Sequence, residues 1–523
     1  MHIPQWKLRL PRAWKFFPVL SMKLGVLLCG ESEIALYSTV IVLTTLLNVC
    51  HICSTVDTPD VTALLVFVCF SIYFALLASR LKEHPVSVTI ASVIIFTLIG
   101  FVISNHFAID WFYGASFGIV QGVLIPLMLY PVASGWSCDS MVWLMSVVCT
   151  WTVMNYVLAC MYGIAVTLPI QLYRFPLILQ PISLFGFAFL DAFVIACNCL
   201  CGMFLATVGK PAGVRCIPLV RLFILVSVWL GFSSYLWYFF VDNSDLSVQV
   251  STISPGYRFN GNLTDIIEMT RNASIGGSQY IVWPETYISP PSGTCSEYIQ
   301  SKILPHTKKL DSTIVIGCLE IMPGDCPTAN LAITVRGSRV LGVYGKQHPV
   351  SMIGESSCWK NGYDVMPIGT EKVNDEVDDD VTSGFATLIC YDMDFGDSAA
   401  TVSDMGAVLI LNPSEDWSAA RGHFAASVFR AVENRVAVAK CDWGWDSAII
   451  DGMGRIETIY DTPDIHREIL TANVSLYSPK DYQGWVLQNV FPLLAICGLI
   501  SILFVAWKRM RRETIQFQRV PLL

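Results

Sequence analysis

Hydrophobic and polar positions follow two different rules along this chain. Over the first 240 residues, and again near the C-terminus, apolar residues run on without the regular polar interruption of a half-buried helix. These stretches fall near 34–53, 61–79, 86–104, 111–133, 140–161, 182–205, 218–240 and 485–507. A helix needs about 20 apolar residues to cross a bilayer, so the pattern predicts seven spans before an intervening segment and one after it. Within 241–484 the rhythm changes to short β-rich runs separated by more polar helices. QYIVWPE and STIVIGCLE read as strands with a helix near 293–310 between them, and LAITV-RGS-RVLGVYGK reads as a hairpin. FATLICYD and GAVLILN read as neighbouring buried strands, a helix over 419–434 leads into VAVAKCDW, and DSAIIDGMGRIETIY turns as a hairpin at Asp451-Gly452. The acid-rich EKVNDEVDDD reads as a solvated turn, because it lacks the ligand spacing and closing glutamate of a calcium loop.

Composition agrees with the membrane reading, since 14% of residues are charged against about 25% in an ordinary soluble domain. Lys and Arg collect on the cytoplasmic side of membrane proteins. Starting the first span at residue 34 from that side puts Arg80, Lys82, Lys210, Arg215, Lys508, Arg509, Arg511 and Arg512 inside. The apolar stretch Phe16–Gly30 is short, broken by Pro18 and Lys23 and preceded by four basic residues, so it reads as an interfacial helix. The expected organisation is a cytoplasmic or interfacial segment 1–33, a membrane domain 34–240, an extracytoplasmic domain 241–484, a transmembrane helix 485–507 and a basic cytoplasmic tail 508–523. Three glycosylation sequons, at Asn262, Asn272 and Asn473, fall in the segment assigned to the outer face, which is periplasmic, lumenal or extracellular. A net charge of −8 with no outer basic stripe argues against nucleic acid.

Candidate chemistry concentrates in the outer segment. Glu285 in IVWPET, Lys346 in VYGKQHP and Cys390 in ATLICYDMDF each stand at the end of an apolar run, where a sheet presents side chains to a cleft. A carboxylate, an ammonium and a thiol suffice for acyl transfer: the carboxylate takes the thiol proton, the thiolate attacks a carbonyl, and the ammonium stabilises the oxyanion. The three motifs in this order resemble the nitrilase (carbon-nitrogen hydrolase) superfamily over roughly residues 245 to 475. That resemblance implies an α-β-β-α sandwich with a Glu-Lys-Cys triad. It also implies that Glu355 is a second active-site glutamate, that Tyr391 and Asp392 belong to the cysteine elbow, and that Glu433 is a structural acid.

A nitrilase-like domain joined to membrane helices on both sides resembles the apolipoprotein N-acyltransferase family. The fold class expected is therefore a polytopic α-helical membrane domain plus an α/β nitrilase-like sandwich. By that resemblance Cys390 takes an acyl chain from a phospholipid as a thioester and passes it to an amine, such as the N-terminus of a lipid-anchored protein. Glu285 is then base and acid, Lys346 and the backbone beside Tyr391 hold the oxyanion, and Glu355 positions the lysine. The alternative is a membrane-tethered amidase. No cofactor is expected, and no HExxH or histidine cluster calls for a metal. Of the outer cysteines Cys295, Cys318, Cys326, Cys358, Cys390 and Cys441, the expected disulfide joins Cys318 to Cys326 across a short loop.

Overall fold

The described residues begin with long apolar helices: α1 (Glu33–Ile52), α2 (Thr62–Arg80), α3 (Pro85–His106), α4 (Trp111–Gly135), α5 (Met141–Tyr162), α6 (Phe187–Ala206) and α7 (Ala212–Val241). The computed structural model describes residues 33–52, 60–106, 111–136, 140–164, 167–241, 244–256, 263–322, 328–350, 355–357, 362–368, 383–416, 423–443, 446–460, 467–477 and 484–518. The interfacial helix expected at Phe16–Gly30, the acidic loop, Asn262, Cys326 and Cys358 lie outside them. With the C-terminal helix Gly484–Gln518, the described residues hold eight helices long and apolar enough to cross a membrane. Many of their large side chains point outward, Phe223 at 74% and Tyr238 at 75% exposure among them. Water does not tolerate such a surface over eight helices, and lipid does.

Helix contacts in this region depend on small residues. Gly114, Gly118 and Gly122 lie four apart on one face of α4 and press against α3; a Cβ on Gly118 would stand 2.3 Å from the Phe96 carbonyl oxygen. Close backbone approach of this kind replaces the hydrophobic effect, which lipid does not supply between helices. Helix α2 is broken by a 3-10 turn at Leu65–Phe67. The freed backbone groups are satisfied by Asn198 of α6, whose amide donates to the Val66 carbonyl at 2.6 Å and accepts from the Phe70 N–H at 2.8 Å. Between α5 and α6 the chain runs through a 3-10 helix, Leu168–Arg174, and two single-turn helices, Pro176–Leu179 and Ile182–Phe185. The sequence alone places the start of the sixth span at 182. The break comes at Gly186, whose φ of +73° ends one helix before Phe187 opens the next.

The remaining residues build two six-stranded sheets. Strands β1 (Ser244–Pro255), β2 (Tyr280–Val282), β3 (Thr313–Ile321), β4 (Thr328–Arg336), β5 (Arg339–Gly345) and β12 (Arg467–Tyr477) form one, in the order β12-β1-β2-β3-β4-β5. Strands β6 (Val365–Pro367), β7 (Gly384–Thr387), β8 (Ala407–Pro413), β9 (Ala437–Cys441), β10 (Ser447–Ile450) and β11 (Ile456–Tyr460) form the other, in the order β11-β10-β9-β8-β7-β6. Parallel pairs β1/β2/β3 and β7/β8/β9 lie at the sheet centres, and β2, β7, β8 and β9 are buried throughout. Parallel strands covered on both faces read as continuous apolar runs, which is why GAVLILN shows no alternation. The sheets pack face to face through β1, β2 and β3 against β8 and β9. Helices Leu263–Ile275 and Cys295–Lys302 pack on the first sheet, and Gly396–Asp404 and His423–Asn434 on the second. This is the α-β-β-α sandwich beside a helical membrane region.

One expectation fails. Cys318 on β3 is bonded to Cys295, with Cα atoms 6.2 Å apart, not to Cys326. Proximity in sequence favours the short loop, but the helix starting at Cys295 lies on β3 and brings a more distant thiol into range. Asn272 and Asn473 are both exposed.

Candidate active site

Each site residue sits where a strand stops. Glu285 follows β2, its N–H donating to the Ser414 carbonyl at 3.2 Å and its carbonyl accepting from Trp443 Nε1 at 3.0 Å. Gly317 of β3 permits that turn, because a Cβ there would lie 2.1 Å from the Pro284 oxygen. Lys346 follows β5, delivered by a hairpin whose two-residue turn holds Gly337 at φ +58°. Cys390 opens a 3-10 turn just past β7 at φ +44°, a backbone strain of the kind kept where a side chain has to face a cleft.

Buried hydrogen bonds tie these ends together. Lys346 Nζ donates to Glu285 Oε1 at 2.9 Å and to both Glu355 oxygens at 2.9 Å. The Asn330 amide bridges the same two carboxylates, at 2.6 Å to Glu285 and 2.9 Å to Glu355, and the Val350 N–H holds Glu355 at 2.8 Å. Asp392 clamps the cysteine turn to the lysine loop. One of its oxygens accepts from the Ile389 N–H and Tyr344 hydroxyl, the other from the Gln347 and His348 N–H groups at 3.1 and 2.7 Å.

Burial and charge set the protonation states. Burial pushes Glu285 up to about 7, opposed by the Lys346 ammonium and reinforced by Glu355. Burial also works to raise Glu355, but Lys346 and the Val350 and Asn330 hydrogen bonds hold it below the ordinary carboxylate range. Lys346 is disfavoured as a cation by burial, yet Glu285, Cys390 and Glu355 keep it well above its ordinary value. Burial, with Glu285 close by, pushes the Cys390 thiol far up. The resting site thus holds a neutral thiol, a fixed ammonium and a carboxyl poised near neutrality.

A second buried pair reaches the thiol from the other sheet end. The Cys390 thiol donates to Asp416 Oδ1 at 3.7 Å, while Asp416 Oδ2 lies 2.6 Å from Lys440 Nζ on β9. Lys440 also meets Asp442 at 3.2 Å, and the Asp416 N–H donates to Asp442 at 2.8 Å. His423 Nδ1 stands 3.8 Å from Asp416 and 3.3 Å from Asp394. The donor atoms of Cys390, Asp416 and His423 lie within 4.8 Å of one another. An ammonium already fills the charge requirement of Asp416, so this cluster suits proton chemistry better than a cation. Neither Asp416 nor Lys440 was singled out from sequence; SEDW follows the buried β8, and Lys440 lies within the buried β9.

Tyr391 and Glu433 face the membrane helices. The Tyr391 hydroxyl donates to the Tyr162 carbonyl at the end of α5, 2.7 Å away. Glu433 accepts from the Phe187 N–H at the start of α6 at 2.7 Å and pairs with Arg430. Burial raises Glu433, against the pull of Arg430. Arg435 reaches Gln180 and Ser183 of the linking segment at 2.7 and 2.9 Å. Along this seam lies a cavity of 780 Å³ whose walls include Tyr162, Phe187, His348, Tyr391, Phe395 and Arg430.

Residues 247–478 match the carbon-nitrogen hydrolase family. The C-terminal half of the chain carries a carbon-nitrogen hydrolase domain. Over 133 residues the chain is 30% identical to an apolipoprotein N-acyltransferase of Treponema denticola, covering 23% of this chain and 24% of that protein. Over 247 residues it is 27% identical to a glutamine-dependent NAD(+) synthetase of Thermotoga maritima, covering 42% of this chain and 40% of that protein. The chain therefore spans about a quarter and two fifths of these relatives. Among solved structures, a branch 10 nitrilase-superfamily member from Saccharomyces cerevisiae aligns over 45% of this chain and 92% of its own, at 17% identity and a TM-score of 0.36. An amidase from Nesterenkonia sp. aligns over 46% and 95%, at 16% identity and a TM-score of 0.35.

Proposed function

We propose that this protein is a membrane N-acyltransferase that moves an acyl chain from a phospholipid to an amine through a thioester on Cys390. In this reading Glu285 accepts the thiol proton, the thiolate attacks the ester carbonyl, and Lys346 holds the oxyanion. Glu285 then returns the proton to the departing lipid alcohol. In the same reading the domain between β1 and β12 lies on the extracytoplasmic face, which the positive-inside bias of the loops favours, and the acceptor is the amine of a lipid-anchored protein.

The observation that carries the reading is the seam between the domain and the membrane helices. Tyr391, next to the nucleophile in sequence, is hydrogen-bonded to the end of α5 and lines the 780 Å³ cavity between the domain and α5, α6 and the C-terminal helix. An acyl chain gains roughly 0.8 kcal/mol per CH₂ in the bilayer, so a thiol one residue from that seam would meet a phospholipid ester without the chain being extracted into water. An amidase acting on a small soluble amide has no use for such a seat. The likeness to an apolipoprotein N-acyltransferase points the same way.

The test is incubation of the purified protein in nanodiscs with acyl-labelled phospholipid, followed by mass spectrometry of Cys390. A labelled thioester that persists in buffer and decays when a lipidated-peptide amine is added is the expected result. Cys390→Ser should fold and melt as the parent does but carry no label. Label that is lost to water within a turnover, with no acceleration by amine, identifies the tethered amidase instead.

A further inference from the structure

Cys390 is flanked by two carboxylates, and each is paired with its own buried lysine. Glu285 is held by Lys346 at 2.9 Å on one side, and Asp416 by Lys440 at 2.6 Å on the other. All four are at most 3% exposed. The acyl-transfer scheme above uses the first pair and leaves the second without a task. A buried ion pair is seldom kept for stability, since well-packed apolar residues serve at least as well. Here the second pair also accepts a hydrogen bond from the nucleophile's sulfur, from Sγ to Asp416 Oδ1 at 3.7 Å.

We propose that Asp416, oriented by Lys440 and Asp442, is the general base of the second half-reaction, taking the proton of the attacking amine and returning it to the sulfur of Cys390. The inference rests on the acyl-transfer reading and adds a residue to it. The amine nitrogen forms a C–N bond to the thioester carbonyl carbon, and the carbonyl electrons move to the oxyanion beside Lys346. The adduct's surplus N–H proton passes to Asp416 Oδ1. The oxyanion collapses, the C–S bond breaks with its electron pair going to Sγ, and the proton moves from Asp416 to the thiolate. An amide and the resting thiol result, with no other reactant.

Geometry makes this division of labour workable. Asp416 Oδ2 and Asp442 both hold Lys440, so Oδ1 is the oxygen left facing Cys390 and His423. The Asp416 N–H is itself fixed by Asp442 at 2.8 Å, which locks the turn after β8. Glu285 and Asp416 also stand in opposite environments. Burial leaves Glu285 ready to carry a proton, whereas Lys440 and His423 overcome burial and keep Asp416 ionised. Paired carboxyl groups driven apart in this way divide acid and base duties. A single carboxyl would have to release its first proton to the lipid alcohol and be vacant again before each amine arrives. Two carboxyls remove that constraint.

The experiment separates the half-reactions in the full-length protein, with p-nitrophenyl hexanoate as donor and hexylamine as acceptor. The nitrophenolate burst reports acylation of Cys390, and mass spectrometry after donor removal follows decay of the acyl-enzyme. In Asp416→Asn the burst should be retained, while amine-dependent decay slows by about 100-fold or more, the range a positioned general base supplies. Glu285→Gln should lose the burst instead. The Asn variant leaves Lys440 its second carboxylate, Asp442, so the ammonium keeps a partner. Should that variant not fold, Asp416→Glu, which keeps the charge but displaces the oxygen by a methylene, should likewise keep the burst and slow the decay. Decay at the wild-type rate in the folded variant overturns the proposal, as does loss of the burst together with the decay. Absence of a burst in the wild-type protein overturns the Cys390 reading itself and this inference with it.

Discussion

The membrane helices and the two-sheet domain draw on the same apolar residues and turn them in opposite directions. In α7 large side chains such as Phe223, Val228 and Tyr238 face outward. In the sheets Val282, Ile314, Leu409 and Val438 face inward, completely buried. The contrast extends to polar groups. The helices join through glycines and a few amides, as at Gly118 and Asn198, while the sheet domain buries whole ion pairs around Cys390. Lipid does not drive apolar surfaces together, so contact there comes from close backbone approach. In a water-driven core, packing supplies the stability and leaves room for charges that do chemistry. The two regions should therefore fail for different reasons when altered.

The largest effect should come from removing a buried cation. Lys346→Met leaves Glu285 and Glu355 facing each other with only Asn330 between them. Breaking one partner from a buried pair costs about 3–5 kcal/mol. The melting midpoint of the detergent-solubilised protein should fall accordingly, and the acylation burst should vanish. Arg336→Met is the comparison: its pair with Asp311 is 3.2 Å long, but Asp311 is 91% exposed, so about 1 kcal/mol at most is at stake. If both variants melt alike, the charges around Cys390 are not held as the geometry implies.

A smaller effect should follow from adding one methyl group in the membrane. Gly118→Ala places a Cβ 2.3 Å from the Phe96 oxygen and 2.7 Å from Thr97 Cα, so α3 and α4 have to separate. Overpacking of this kind costs about 1–3 kcal/mol. Gly213→Ala, at the start of α7 with nothing within 4 Å, should leave the midpoint unchanged. Equal behaviour of the two would mean that the glycine face is not the contact between those helices.

The same contrast explains what could be read from sequence. Eight spans and the strand ends carrying Glu285, Lys346 and Cys390 were visible because each leaves a one-dimensional signal: a long apolar run, or a short one stopped by a polar residue. The hairpin into Lys346 was visible because Arg336-Gly337-Ser338-Arg339 is turn chemistry. What was hidden depends on residues brought together from distant parts of the chain. Cys295 meets Cys318 only once a helix lies on β3, against the expected partner Cys326. Asp416 and Lys440, 24 residues apart, meet only because β8 and β9 are parallel neighbours. The break between Phe185 and Phe187 was hidden for another reason: apolar residues continue through it, and only the φ of Gly186 marks the end.

The smallest effect is a matter of pH, and its sign separates chemistry from stability at one residue. Glu285 has to be ionised to take the Cys390 proton, and burial places its carboxyl at about 7 in place of 4.5. Single-turnover acylation should therefore fall as pH drops through about 7, by roughly fivefold between pH 7 and 6 if this carboxyl alone controls the step. Lys346 stays charged throughout, being held well above its ordinary value. Stability moves the other way. Between about pH 4.5 and 7 the folded protein keeps the Glu285 proton that the unfolded chain releases, so this group's contribution declines as pH rises through that window. Burial raises Asp442 to about 7 as well, so the total pH dependence of melting does not isolate Glu285. The difference between wild type and Glu285→Gln does, because Gln stays neutral at every pH. Acylation that rises while this difference shows wild-type stability falling, both across the same window, is the expected pair of curves. Acylation that stays flat from pH 6 to 8 removes Glu285 as the base that activates the thiol.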